Sequence, residues 1–363
     1  MGVFLERQFL SRLARPVAAP AVAASPPPPL PPAAKTAVAA GPLSVEGWGS
    51  FQNNLFPSLM LSFGTVSPEY LHTITVGIHH ALAGKPYHLR IDSTLFSQPM
   101  VYTANAPAES FNVSPDLPWN FDALRQATQL LPQSFVIAVT VGEAAAQANL
   151  NCMVHPVNEV VSRILNSETG EWQDTSICYA AFVNEDHPWI GALLQGAIER
   201  GVVDRFAGYE FGRSSVVTQM EAIWEALAAH GSSYVDLAAT SGDVPGLATQ
   251  YVRFLDQAIR DRGANCVDGS ALLASVFRRI GLRPVLLFKP GHCFVAVYDQ
   301  AQGGNLIAVE TTLLGNGSFA KALSTGNQEL DSTLPNINTA GYSAVDIVVA
   351  RQAGVRPIEF PTP

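Results

Sequence analysis

The chain has 363 residues, 48% of them hydrophobic and only 14% charged, which is enough apolar material for two domains with real cores and far from the composition of a disordered acidic chain. With 30 acidic against 21 basic residues the formal charge is −9, which repels a phosphate backbone and excludes nucleic acid as the expected partner in favour of a small molecule, peptide or protein. The longest apolar runs, VIAVTV and VLLF, fall far short of the roughly 20 residues a membrane-crossing helix needs, so no transmembrane span is expected.

Residues 1–45 are dominated by alanine and proline, as in PVAAPAVAASPPPPLPPAAKTAVAAG, and are expected to be a low-complexity tether that cannot bury enough apolar surface to offset its ordering entropy. The mildly basic, amphipathic MGVFLERQFLSRLAR ahead of it runs into prolines that would interrupt a signal-peptide core, leaving a cytoplasmic and an exported location equally open.

From 46 to 185 short apolar runs alternate with turn residues: YHLRID, MVYTA, SFVIAVTVG, NCMVHPV, VVSRIL and SICYAAFV, with Ser-Glu-Thr-Gly at 167–170 reading as a hairpin turn. DALRQATQLL is either a helical turn or an irregular strand. Short strands without intervening helices predict an all-β sandwich, which resembles an immunoglobulin-like domain. Cys152 and Cys178 would then be two core thiols or, in an exported protein, a disulfide across the sandwich. His72, His79, His80 and His88 do not make a metal set, because adjacent histidines point to different sides of any regular element and no carboxylate or cysteine completes the group. Trp119, Trp172, Trp189 and Trp224 are scattered singly and read as packing.

From 186 to 363 the period changes. WIGALLQGAIERG and SVVTQMEAIWEALAAHG place apolar residues three and four apart and end on glycine, as helices with a left-handed cap do, and a third helix is expected through LATQYVRFLDQAIRDRG. Helices followed by strands predict an α+β domain.

The chemistry is concentrated in GANCVDGSALLASVFRRIGLRPVLLFKPGHCFVAV. Leu272, Leu273, Val276, Phe277 and Ile280 share a helical face, Gly281 caps the helix and Pro284 blocks its continuation, so the helix starts close to Cys266. A thiol at a helix N-terminus meets free backbone N–H groups and the positive end of the dipole, which favour the thiolate a nucleophile needs. Asp268 in the first turn would oppose a thiolate unless it pointed away. PVLLF then reads as a strand, KPG as a tight turn and HCFVAVYD as a second strand, on which His292 shares a face with Phe294 while Cys293 takes the other and reads as core. With the next turn centred on Gln302, His292 is expected opposite Thr312 in NLIAVETT, with Glu310 one diagonal step away; Asp299, on a nearby loop, is the competing acid. Cys266, His292 and Glu310 thus arrive in the order nucleophile, base, orienter.

NCVDGSALLASVFRRIGLRPVLL, followed by GHCFVAVY and LIAVETT, resembles the transglutaminase-like fold of the papain-type cysteine enzymes over roughly Gly231 to Gly315. In that family a cysteine opens a helix, a histidine begins a later strand, and an acid sits in the strand after it. The resemblance implies Cys266 as nucleophile, His292 as base and Glu310 as orienting acid, with no cofactor. Two positions depart from the family pattern: Glu310 stands where aspartate is commoner, and Phe294 lacks the indole donor of the family's usual aromatic. The expected activity is acyl transfer by a peptidase or amidase, with the Cys266 backbone N–H as one oxyanion donor and Tyr234 or Gln250 as candidates for the second. A cross-linking transglutaminase is the alternative within the family, set back because nothing reads as a calcium site. A binding module that keeps the fold without turnover is the alternative outside it.

Overall fold

A computed structural model describes residues 42–63, 74–166, 169–236 and 244–358. The segment expected as a tether lies outside the described residues up to position 41, as does part of the 167–170 turn. The chain is a mixed α and β protein that divides into two compact units, the first holding the described residues up to Val157 and the second those from Asn158 onward together with Ser62 and Phe63.

The first unit has two sheets. Strands β1 (Ser44–Gly49), β3 (Ile74–His79) and β6 (Phe111–Val113) form one, in the order β1-β3-β6. The other is built from β2 (Asn54–Leu55), β4 (Pro86–Ile91), β5 (Met100–Asn105), β7 (Leu131–Val141) and β8 (Ala144–Val154), in the order β2-β8-β7-β4-β5. Burial alternates along the strands: Tyr87, Leu89 and Ile91 are buried on β4, and Phe135, Ile137, Val139 and Val141 on β7, as expected of sheets with one covered face. A Cβ at Gly47 would lie 2.4 Å from Ile137 Cδ1, so glycine lets β1 press against the larger sheet. The ambiguous DALRQATQLL divides into a short helix, α1 (Phe121–Arg125), capped by Asn120, and the start of β7.

The second unit opens with β9 (Glu159–Leu165), β10 (Trp172–Asp174), α2 (Pro188–Glu199), α3 (Gly212–His230), β11 (Ser233–Tyr234), β12 (Leu247–Tyr251), α4 (Leu255–Asp261) and β13 (Gly263–Ala264). It continues with α5 (Cys266–Arg279), β14 (Pro284–Lys289), β15 (His292–Gln300), β16 (Gly303–Val309), α6 (Phe319–Thr333) and β17 (Ser343–Asp346). Its centre is a four-stranded antiparallel sheet with the order β16-β15-β14-β17. One sheet face carries Val285, Leu287, Phe294, Ala296, Tyr298 and Ala308 into a core shared with Leu330 of α6. Helix α5 packs on β15 and β14, and its residues from Val267 to Phe277 are buried. Helix α3 ends on Gly231 at φ 89°, the left-handed cap its sequence anticipates.

Three local expectations change. VVSRIL and the residues after it do not belong with the first unit: β9 pairs with β10 on one side and β12 on the other, so the division falls at 157/158 and not at 185/186. SICYAAFV is a buried 3-10 helix, Ser176–Phe182, not a strand, and Cys178 therefore sits in the second unit while Cys152 sits in the first; both thiols are free. The helix expected through LATQYVRFLDQAIRDRG begins only at Leu255, because its first five residues pair with β9. Thr249 and Tyr251 suit a strand, and a long-range partner outweighs the local helical period.

Candidate active site

Helix α5 opens on Cys266. The Asn265 side chain caps it, accepting from the N–H groups of Val267 and Asp268 at 2.9 Å each. Neither of these bonds uses the Cys266 N–H. Cys266 is half-buried, whereas Cys152, Cys178 and Cys293 are buried. Burial pushes the Cys152 and Cys178 thiols up to about 12, with Asp174 adding to the second, and drives Cys293 well above the ordinary thiol value. Three of the four thiols are thus held neutral inside the protein.

Asp268 turns to other partners than the sulfur. Its Oδ1 accepts the Arg253 N–H at 2.8 Å, and its Oδ2 accepts the Arg253 guanidinium and the Asn265 N–H, each at 3.2 Å. The last bond completes a reciprocal cap with Asn265. Burial raises the Asp268 carboxyl above its ordinary value, against the pull of Arg253 and the two N–H donors.

His292 begins β15 after a two-residue turn, Pro290-Gly291, in which Gly291 takes φ 73°. Its Nε2 lies 2.8 Å from Glu310 Oε2. The imidazole is raised to about 9, first by a hydrogen bond with Cys266 and then by the one with Glu310, while burial works the other way. Since Glu310 occupies Nε2, Nδ1 is the ring nitrogen left for the thiol. The imidazole also stacks on buried Phe294, ring centroids 6.1 Å apart.

Glu310 reaches this position because the hairpin has the expected register. Val295 pairs with Val309 and Val297 with Ile307, which carried forward sets His292 opposite Thr312. The strand stops at Val309, however, and Glu310 becomes the cap of a 3-10 turn, Thr311–Leu313. Its Oε1 accepts from the Thr312 N–H at 2.9 Å and hydroxyl at 2.7 Å. Burial opposes the Glu310 charge, but the bonds from His292 and Thr312 outweigh it and hold the carboxyl below its ordinary value. Asp299, the competing acid, is instead engaged by Arg213 at 3.2 Å and by the Asn305 N–H at 3.0 Å.

Two further side chains tie the elements together. Ser270 Oγ donates to the Cys266 carbonyl at 2.6 Å, and Thr311 Oγ1 donates to the same oxygen at 3.3 Å, linking the first turn of α5 to the residue after Glu310. A serine four residues after the cysteine and a threonine next to the acid are the only sequence traces of this. Cys293 is core, as expected, but not in the layer away from α5: its thiol interacts with Ser270, so the strand's alternation does not divide it from the helix.

Cys266 and His292 open into a cleft of ≈ 750 Å³. One wall comes from β9, β10 and β12, with Gln250 and Trp172; the other comes from the turn after β14 and residues 338–343. Tyr179 and Phe288 stack at 4.5 Å in its lining. Of the two candidate oxyanion donors, Gln250 lines the cleft but donates to the Tyr251 carbonyl at 3.1 Å, and Tyr234 feels the charges of Cys266 and Glu310. Trp172 is 46% exposed with the Arg163 guanidinium over its ring, so it is a feature of the cleft and not the packing residue its isolation suggests.

A second imidazole and carboxylate, His187 and Asp256, lie 2.7 Å apart beside a smaller cavity of ≈ 210 Å³. No cysteine, serine or threonine lines it among the described residues, so this pair has nothing to activate. In the first unit His79 meets Glu46 at 3.0 Å, His80 meets Glu109 at 3.6 Å and His88 meets Thr103 at 2.9 Å, while His72 lies outside the described residues. Among the described residues no three ligating side chains gather as a metal site would require, and no helix is long and apolar enough to cross a membrane. No protein-family model and no curated protein matches the chain.

Proposed function

We propose that the chain is a cysteine-dependent acyl-transfer enzyme, a peptidase or amidase, with a transglutaminase-like catalytic domain in its second unit and an immunoglobulin-like sandwich in its first. One observation carries this reading: a half-buried thiol at the mouth of α5 lines the same cleft as an imidazole that it raises and that is held 2.8 Å from a buried carboxylate. The interleaved order of helix, hairpin and capped turn supports the family resemblance, and the two-sheet first unit with alternating burial supports the sandwich.

In this mechanism the Cys266 sulfur attacks a substrate carbonyl carbon, forming an S–C bond while the carbonyl oxygen takes the negative charge beside the Cys266 N–H. Protonated His292 gives its proton to the leaving nitrogen as the C–N bond breaks, releasing an amine and leaving a thioester. Water then adds to the thioester as His292 takes back a proton, and cleavage of the S–C bond frees the acid and the thiol. Glu310 keeps the ring oriented and favours its protonated form in the first half of the cycle.

Alkylation tests this directly. Iodoacetamide at neutral pH should label Cys266 at least tenfold faster than Cys152, Cys178 and Cys293, as read by peptide mass spectrometry, and His292→Ala should remove the advantage. Cys266→Ala should abolish amide hydrolysis while leaving the unfolding transition in place. Equal, slow labelling of all four thiols would leave a fold without turnover.

A further inference from the structure

We propose that Arg163 is the recognition residue for a carboxylate on the substrate. The proposal rests on the reading of Cys266 as the nucleophile and adds the class of molecule it attacks. Arg163 is half-buried on β9, in the cleft that also holds Cys266 and His292, and its guanidinium carbon lies 5.4 Å from the centre of the Trp172 ring. That contact offsets part of its desolvation but satisfies no carboxylate.

Four other arginines and lysines buried or half-buried in this unit are matched at close range, while Arg278 lies 3.9 Å from Glu185. Arg253 holds Asp268, Arg283 holds Asp346, Arg351 holds Glu185 and Lys289 holds Glu329. Among the described residues no carboxylate comes within ion-pair distance of Arg163, and no hydrogen bond ties its guanidinium to any other group. Asp174, its cross-strand partner, is the nearest alternative by register, yet its Oδ1 accepts the Ser176 N–H at 2.9 Å. A planar fork held along a ring, in the cleft that Cys266 also lines, fits a carboxylate bidentately. Glu171 and Asp174 line the same wall, and their charges oppose a dianionic phosphate more than a singly charged carboxylate. The substrate is therefore an amide or peptide with a free carboxylate near the scissile bond.

The test compares alkylation of Cys266 in the full chain by iodoacetate, which carries a carboxylate, and by iodoacetamide, its neutral counterpart. The ratio of the two rates should fall about tenfold in Arg163→Gln and recover only in part in Arg163→Lys, which keeps the charge but not the fork. An unchanged ratio in Arg163→Gln overturns the proposal. Competition in the wild-type chain supplies a measurement that does not depend on any variant folding: N-acetylglycine should protect Cys266 from iodoacetamide and N-acetylglycinamide should not, and equal protection by both overturns it. Failure of iodoacetamide to prefer Cys266 at all would sink the nucleophile reading itself, an outcome distinct from a missing charge preference.

Discussion

The Asp268 carboxylate grips Arg253 with both oxygens, one on its backbone N–H at 2.8 Å and one on its guanidinium at 3.2 Å, two residues from Cys266. An acid in the first turn of α5 is thereby spent on the neighbouring segment and not on the sulfur. Truncation in Asp268→Ala leaves a poorly exposed guanidinium unpaired and should cost about 3 kcal/mol, while Asp268→Asn keeps an acceptor and should cost about 1 kcal/mol. Because burial already raises this carboxyl, giving up its charge loses less than giving up its shape. Urea unfolding of the two variants checks the order.

The His292 imidazole is raised from 6.5 to about 9, so the folded state binds its proton more tightly than the unfolded chain does. The stability this contributes is complete below pH 6.5 and is lost as pH rises through about 9. The difference in unfolding free energy between wild type and His292→Gln should therefore shrink across that window. A difference that grows with pH would contradict the pairing.

Glu310→Gln keeps the side-chain shape and removes the charge. Cys266 and Glu310 both raise the imidazole, so the His292 titration should move down in Cys266→Ala and in Glu310→Gln alike, as followed by NMR of the ring protons. Hydrolysis by Glu310→Gln should drop on the order of 10³-fold, since an orienting acid replaced by its amide holds the wrong tautomer.

Gly326 of α6 lies against the strand that delivers Glu310. A Cβ there would meet the Ala308 carbonyl group and the Val309 nitrogen at 2.6 Å, backbone atoms that cannot swing aside. The neighbouring Ala322 carbonyl accepts the Glu310 N–H at 3.0 Å. Gly326→Ala should destabilise the unit by about 1–3 kcal/mol and slow Cys266 alkylation as well, because pushing α6 outward disturbs the anchored acid. Thermal unfolding and labelling on the same preparation separate the two effects.

The geometry around Cys266 was readable because it is local. The apolar face from Leu272 to Ile280, Gly281 and Pro284 bound α5 by short-range rules, and a turn centred on Gln302 gives the β15–β16 register near His292, with a bulge between Tyr298 and Gln300 next to the turn. The cleft wall was not readable. β12 joins β9 across more than 80 residues, and nothing in LATQY announces that pairing against the helical period of the residues after it. Helix α6 and the 3-10 turn from Ser176 were likewise unread: the first has a sparse apolar face, and the second is an apolar run as compatible with a strand. Glu310 was located by register, but its role as a cap depends on β16 ending one residue earlier, a stop visible only in three dimensions.

The sulfur, ring and acid all ride on one uninterrupted length of chain from Cys266 to Glu310, which holds α5 and three strands. On the proposed reading the three groups depend on this stretch and on α6, which anchors the Glu310 N–H. A related chain that keeps this frame but has replaced Cys266, His292 or Glu310 is, on the same proposal, expected to bind without turnover.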